Sequence, residues 1–249
     1  MERWQNKVAV VTGASSGIGE AIAKDFAAAG LRVVALGRRL ERLDENRLQL
    51  TEEQQKRYFT HKCDVTNEDE VKATFEWIEK THGGTDILVN NAGVGGRSGG
   101  HLLTMDSAFM DKLLHTNVKG LVYCTQAAYK SMQERKFDGH IVHINSIAGH
   151  GLPTMPTGFS LNIYPPSKYC VTAINETIRC ELRNLGTKIK TTSVSPGLVR
   201  TEIAPKELYE KVGIYLNPED VSQAVMYAVS TPPHVQIHEI TVQPVGENF

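Results

Sequence analysis

Cysteine is scarce in this 249-residue chain. It has four, Cys63, Cys124, Cys170 and Cys180, with no CxxC pair and no zinc-ligand spacing. Four thiols over this length do not make a disulfide framework, so reduced, partly buried cysteines are expected. Excess charge is missing too: 27 Lys and Arg against 28 Asp and Glu leave a formal net charge of −1. That balance excludes the basic footprint of a general nucleic-acid binder or a polybasic membrane-surface protein. No apolar run approaches the roughly 18–20 residues that cross a bilayer. The first residues, Met1 to Lys7, lack the apolar core of a secretory signal. His234, His238 and Glu239 have no third converging ligand, so no metal is expected. These absences predict a cytoplasmic globular protein with no nucleic-acid partner and no membrane span.

What is present alternates. Short apolar runs occur at Val8-Ala9-Val10-Val11, Val33-Val34-Ala35-Leu36, Ile87-Leu88-Val89, Ile141-Val142-His143-Ile144, Thr192-Ser193-Val194 and Ile240-Thr241-Val242. Residues 58–64 read as a further strand. Between them, Ile18, Ala21, Ile22, Phe26 and Ala29 recur at helical spacing up to Gly30, and amphipathic stretches cover 67–81, 106–136, 164–185 and 218–230. Continuous apolar strands separated by helices predict an α/β fold, a doubly wound parallel sheet of about seven strands with helices on both faces. No repeat, linker or composition shift marks a boundary, so one domain spanning 1–249 is expected.

Thr12-Gly13-Ala14-Ser15-Ser16-Gly17-Ile18-Gly19 joins the first strand to the first helix. Three glycines there suit a tight turn and the close approach of a pyrophosphate, whose charge meets the free N–H groups and positive end of the helix. A plain structural turn is the alternative; the strand-to-helix position favours the nucleotide. At the end of the second strand, where an NAD site places Asp or Glu, this chain has Gly37, Arg38 and Arg39. No carboxylate repels a 2′-phosphate there, and a charge-assisted hydrogen bond contributes ~1.5–3 kcal/mol, about 10–150-fold in preference. NADP(H) is therefore expected over NAD(H), against the alternative of a solvated helix start. Asp64 is a candidate adenine contact.

The pattern YxxxK occurs twice, as Tyr58-Phe59-Thr60-His61-Lys62 and Tyr164-Pro165-Pro166-Ser167-Lys168. On a strand the two ends lie ~13 Å apart, whereas on a helix i and i+4 are neighbours. Only the second pair can set an ammonium beside a phenol, and its prolines suit a first helical turn. Polar residues also gather where strands end: Asn90-Asn91-Ala92-Gly93, Asn145-Ser146, and Ser195-Pro196-Gly197 with Thr201 beyond. Ligands of open parallel sheets collect at those carboxyl ends. Asn117 lies in a helical pattern, His115 to Gly120.

In this order TGxxxGxG, NNAG, the helix Asn, Ser, and YxxxK followed by PG resemble the short-chain dehydrogenase/reductase family over nearly the whole chain, within its NADP-preferring subset. The resemblance implies a Rossmann fold and a catalytic tetrad of Asn117, Ser146, Tyr164 and Lys168. It implies cofactor contacts at Gly13, Ser15, Ser16, Gly17, Ile18 and Gly19, at Arg38, Arg39, Asp64 and Val65, and at Asn91, Ala92 and Gly93. Tyr164, Lys168, Pro196, Gly197, Val199 and Thr201 complete that set. Two departures stand out: Pro165-Pro166 in the motif, and 17 residues between Ser146 and Tyr164. The run from Gly37 to Arg42, the tail from Leu216 to Val221 and from Ser230 to Ile237, and the long Ser–Tyr loop resemble the branch holding insect farnesol dehydrogenases and animal dehydrogenase/reductase member-eleven proteins. That branch implies apolar alcohols or carbonyls as substrates, and the family a homodimer or homotetramer.

A free tyrosine has pKa ≈ 10. Lys168 and an oxidised nicotinamide both favour its phenolate, making Tyr164 the expected proton acceptor from an alcohol or donor to a carbonyl. Ser146 is expected to hold the substrate oxygen, Lys168 the nicotinamide ribose, and Asn117 a water. Segments 94–105, 150–163 and 198–217 are expected around the nicotinamide. The middle one has no Asp, Glu, Lys or Arg, and Leu152, Met155, Phe159 and Leu161 suggest an apolar pocket, with ordinary loop packing as the alternative. The last, with Leu198, Ile203, Leu208, Tyr209, Ile214 and Tyr215, is long enough for a lid. An isoprenoid alcohol such as farnesol fits these features. A general carbonyl or 3-oxo reductase remains open, as does a non-enzymatic Rossmann protein, whose mark would be a lost tetrad.

Overall fold

Strand β1 (Val8–Thr12) is buried along its whole length. Alternate side chains of a strand face opposite layers, and here both layers are apolar. Ala9 and Val11 join Trp4, Ile22 and Phe26, while Val8 and Val10 join Val71, Phe75 and Met132. Such a strand belongs in the middle of a sheet covered on both faces.

The computed structural model describes residues 1–95 and 100–247. After β1 come α1 (Gly17–Ala28), β2 (Arg32–Gly37), α2 (Leu40–Leu48), α3 (Glu52–Gln55), β3 (Tyr58–Lys62), α4 (Glu68–His82) and β4 (Ile87–Asn90). The second half runs α5 (Ser107–Leu114), α6 (Leu121–Glu134), β5 (His140–Ile144), α7 (Tyr164–Asn184), β6 (Lys190–Pro196), α8 (Lys206–Val212), α9 (Pro218–Ser230) and β7 (Glu239–Val242). All seven strands pair in parallel, in the order β3-β2-β1-β4-β5-β6-β7. This is the doubly wound sheet expected from the alternation of apolar runs. Its order reverses between β1 and β4, and connections leaving those two strands in opposite directions open a crevice at their carboxyl ends.

The 106–136 stretch, expected as one helix, is continuous but widened. His115–Gly120 forms a π-helical segment between α5 and α6, a distortion common at functional sites. It presses against the end of the β3–α4 connection. A Cβ on Gly120 would lie 2.8 Å from the Val65 carbonyl oxygen, so only glycine allows that approach. The 198–217 segment also differs from a plain loop, because it folds as α8 and ends at Gly213 with φ +72°. Leu208 and Tyr209 form the buried face of that helix. No helix among the described residues is long and apolar enough to cross a membrane.

Candidate active site

The glycine turn is stitched to the switch point by the NNAG residues. Asn91 donates from Nδ2 to the carbonyls of Thr12 at 2.9 Å and Gly13 at 3.2 Å. The backbone N–H groups of Asn91 and Ala92 both donate to the Thr12 hydroxyl at 3.0 Å. Gly13 and Gly17 sit at φ +65° and +60°, conformations glycine adopts without strain. Ser16, the residue before α1, makes no side-chain cap bond. The first-turn N–H groups therefore have no serine oxygen capping them, as an anion site requires.

A groove runs from this turn past Gly37, Arg38 and Arg39 to Asp64 and Val65, and back along Asn91, Ala92 and Gly93. Ser15, Ser16, Gly17 and Ile18 line it too. Gly19 does not. It is packed inside α1, where a Cβ would lie 2.3 Å from Asn91 Nδ2, so its role is to let the helix close on the strand end. The Asp64 carboxylate is engaged by the N–H and hydroxyl of Thr66 at 3.0 and 2.8 Å. A dinucleotide fits this groove: unstrained glycines, an open helix N-terminus, the Arg39 guanidinium beside the turn and the exposed Arg38 next to it.

Tyr164 opens α7 with both prolines in the first turn, which sets Lys168 one turn below. Lys168 Nζ donates to the Ile144 carbonyl at 2.9 Å and lies 5.6 Å from the Tyr164 ring centre. The Ser146 hydroxyl accepts the Ala148 N–H at 3.1 Å and is hydrogen-bonded to the Tyr164 phenol. Burial pushes the phenol above its ordinary value, and the Ser146 bond pulls it partly back. Burial also lowers the Lys168 ammonium to about 8. Two ties clamp α7 to the end of β5. Asn145 Nδ2 donates to Thr172 Oγ1 at 2.9 Å, and the Thr172 hydroxyl donates to the Gly149 carbonyl at 2.9 Å.

Asn117 lies in the π segment and lines neither the groove nor the cavity beside Tyr164. Its Oδ1 accepts the Val94 N–H at 2.8 Å, while Nδ2 donates to the Val94 carbonyl at 2.9 Å and to Ser167 Oγ at 3.2 Å. Ser167 in turn donates to the Tyr164 carbonyl at 2.7 Å. Ser167 thus links Asn117 to Tyr164, a role no motif flagged although the residue sits inside YPPSK.

The cavity beside Tyr164, Ser146 and Lys168 is walled by Pro153, Met155, Phe159 and Leu161 on one side and by Leu198, Ile203, Pro205 and Leu208 on the other. Pro196, Gly197, Val199 and Thr201 also line it, and among the described residues Glu247 is the one carboxylate that does. Of the residues expected to line it, Leu152 does not: its side chain is 76% exposed. Ile214 is exposed as well, and Tyr215 packs edge-on against Tyr209. Lys211 of α8 donates to the Thr157 carbonyl at 2.9 Å, fastening the two walls together. In the 94–105 segment Gly95 lines the cavity, Leu102 and Leu103 are exposed, and 96–99 lie outside the described residues.

The short chain dehydrogenase family model matches residues 7–211. The chain is 53% identical over 249 residues to farnesol dehydrogenase of Aedes aegypti, with all of both chains covered. It is 39% identical to human dehydrogenase/reductase SDR family member 11, over 99% of this chain and 97% of that one. Among solved structures, the closed form of serine dehydrogenase complexed with NADP⁺ superposes with a TM-score of 0.85 at 31% identity, covering 97% of this chain and 96% of the other. An alcohol dehydrogenase from Thermococcus sibiricus complexed with 5-hydroxy-NADP gives 0.82 at 26%, covering 96% and 97%.

The buried amine of Lys168 makes a stability prediction. An unfolded chain keeps that proton to about pH 10.4, whereas burial lowers the folded value to about 8. Between those values the unfolded state binds more protons, so the wild type gains stability as pH rises. Relative to Lys168→Met, the wild type should gain about 2–3 kcal/mol from pH 7 to pH 10, at 1.36 kcal/mol per unit. Urea unfolding of both proteins across that range measures it. A difference independent of pH would contradict the assignment.

Proposed function

The chain belongs to the short-chain dehydrogenase family, and from that membership we propose that it is an NADP(H)-dependent oxidoreductase acting on an apolar alcohol or carbonyl, an isoprenoid alcohol such as farnesol foremost. One observation carries this reading. The Ser146–Tyr164–Lys168 cluster faces an apolar cavity, and that cavity shares Ile18, Asn91, Gly93, Thr201 and Ile203 with the groove that ends at Arg38 and Arg39. Likeness to a farnesol dehydrogenase and to NADP-complexed structures supports it.

Gly13, Ser15, Ser16, Gly17, Ile18, Arg38 and Arg39 would hold the cofactor's phosphates, and Asn91, Ala92, Gly93, Lys168, Pro196, Gly197, Val199 and Thr201 its nicotinamide half. When bound there, NADP(H) supplies the hydride chemistry. Ser146 fixes the substrate oxygen with the hydroxyl that also bonds Tyr164. Tyr164 moves the proton at its phenol oxygen, accepting it in oxidation and donating it in reduction. Burial disfavours the phenolate, so the nearby Lys168 charge is what brings the base form within reach. Asn117, its side-chain amide committed to Val94 and Ser167, serves the site by positioning. Apolar walls match an uncharged substrate, since a phosphosugar or dicarboxylate would call for fixed positive charge there. The same reading makes the enzyme cytoplasmic, supported by four free cysteines. It also makes it a homodimer or homotetramer, supported by exposed Tyr169 on α7 and Tyr227 on α9.

Tyr164→Phe should abolish turnover with any alcohol while leaving the NADPH dissociation constant within about twofold, by fluorescence titration; near-normal turnover would remove Tyr164 as the proton-transfer group. Arg38→Ala should weaken NADPH binding about 10–150-fold, the equivalent of one charge-assisted hydrogen bond. It should barely alter NADH. Equal losses on both cofactors would contradict a 2′-phosphate contact.

A further inference from the structure

One side chain bridges the two rims of the groove. Glu202 follows Thr201 in the stretch between β6 and α8, and its carboxylate reaches the start of α2. Arg39 Nη1 donates to Oε2 at 2.8 Å, Arg42 Nη1 donates to Oε1, and the Ser16 hydroxyl donates to Oε2 at 3.3 Å. The rest of the Arg39 guanidinium lies on the glycine turn. Its Nε and Nη2 donate to Ser15 Oγ at 3.2 and 3.0 Å, and Nη2 also donates to Ser16 Oγ at 2.9 Å. Hydrogen bonds from Arg42 first and Arg39 second hold Glu202 below its ordinary value, so it is anionic at neutral pH. Arg38 is exposed and in no ion pair among the described residues.

The two guanidiniums expected to stand ready for a phosphate are therefore unequal. Arg38 is free to meet one, whereas Arg39 already holds an anion belonging to the chain. The stretch carrying that anion is stiff. The Tyr209 hydroxyl accepts the Thr201 N–H at 3.0 Å and points at the Val199 and Thr201 carbonyls at 2.9 and 2.8 Å. Residues 199–209 are thus tied into one unit, which includes the cavity wall residues Ile203 and Leu208.

We infer that Glu202 is a specificity-determining residue, an internal anion that competes with the cofactor's 2′-phosphate for Arg39 and Arg42. This rests on the NADP(H) reading above. A phosphate monoester carries about −1.5 to −2 at neutral pH, more than the single charge of a carboxylate, and pairs with guanidinium in the same forked geometry, so it displaces Glu202. The 2′-hydroxyl of NAD(H) carries no charge and leaves the carboxylate in place. The latch thus lowers affinity for NADP(H) somewhat and leaves that for NAD(H) nearly unchanged.

Calorimetric titration of wild type and Glu202→Gln with NADP⁺ and with NAD⁺ tests this. The amide keeps the shape and removes the charge of a half-exposed side chain, so folding is unaffected. Glu202→Gln should bind NADP⁺ roughly three- to tenfold more tightly, the worth of two half-exposed ion pairs, with NAD⁺ changed less than twofold. Equal tightening of both cofactors would mean a general field effect on the shared pyrophosphate and would overturn the inference. Unchanged or weaker NADP⁺ binding would overturn it too, the latter by making Glu202 a clasp over the bound cofactor. A wild type with no preference between NADP⁺ and NAD⁺ would instead overturn the cofactor reading, and the latch with it.

Discussion

The buried ammonium of Lys168 is the constraint around which the site is arranged. It sits one helical turn below Tyr164, reaches the Ile144 carbonyl at the end of β5, and is drawn down to about 8 by its surroundings. Holding it there requires α7 to lie hard against the carboxyl edge of the sheet. The Asn145–Thr172–Gly149 chain of hydrogen bonds provides that contact, and the absence of a side chain on Gly149, whose Cβ would lie 2.7 Å from the Lys168 carbonyl oxygen, permits it. From the other side the π segment brings Asn117 to Ser167. Removing a charge from water costs free energy, and the fold accepts that cost where a phenol needs a cation beside it.

The second organising contact lies at the switch point, where Thr12 and Asn91 lock the glycine turn to β4. Beside this edge the groove and the apolar cavity meet, sharing Ile18, Asn91, Gly93, Gly95, Thr201 and Ile203. The stretch between β6 and α8 meets this edge through Glu202, which accepts from Arg39 and Ser16.

Much of this was legible in the residues alone. Tyr58–Lys62 and Tyr164–Lys168 share a pattern, and spacing arguments separated them: the first pair is strand β3 and the second opens α7. Apolar runs separated by helices give the parallel sheet covered on both faces, while the order of its strands comes from the structure. What could not be read was anything that depends on distant segments meeting. Glu202 and Arg39 are 163 residues apart, and no local pattern joins them. Leu152 looked like a cavity residue because its loop is apolar, yet it faces solvent while its neighbour Pro153 faces in. The π segment and α8 were missed for a related reason. Local periodicity shows a helical stretch but not its widening, and a seven-residue helix leaves too short a record.

The proposed role of the Tyr164 cluster requires an uncharged, apolar substrate taken with NADP⁺. Its most direct test is kcat/KM for a series of prenyl alcohols of one, two and three isoprene units beside serine, all at saturating NADP⁺. Each added unit buries further apolar surface, worth about 0.8 kcal/mol per methylene when fully enclosed, so kcat/KM should rise severalfold per unit up to farnesol, with serine far below. A series that is flat or falls with length, or serine as the better substrate, would contradict it.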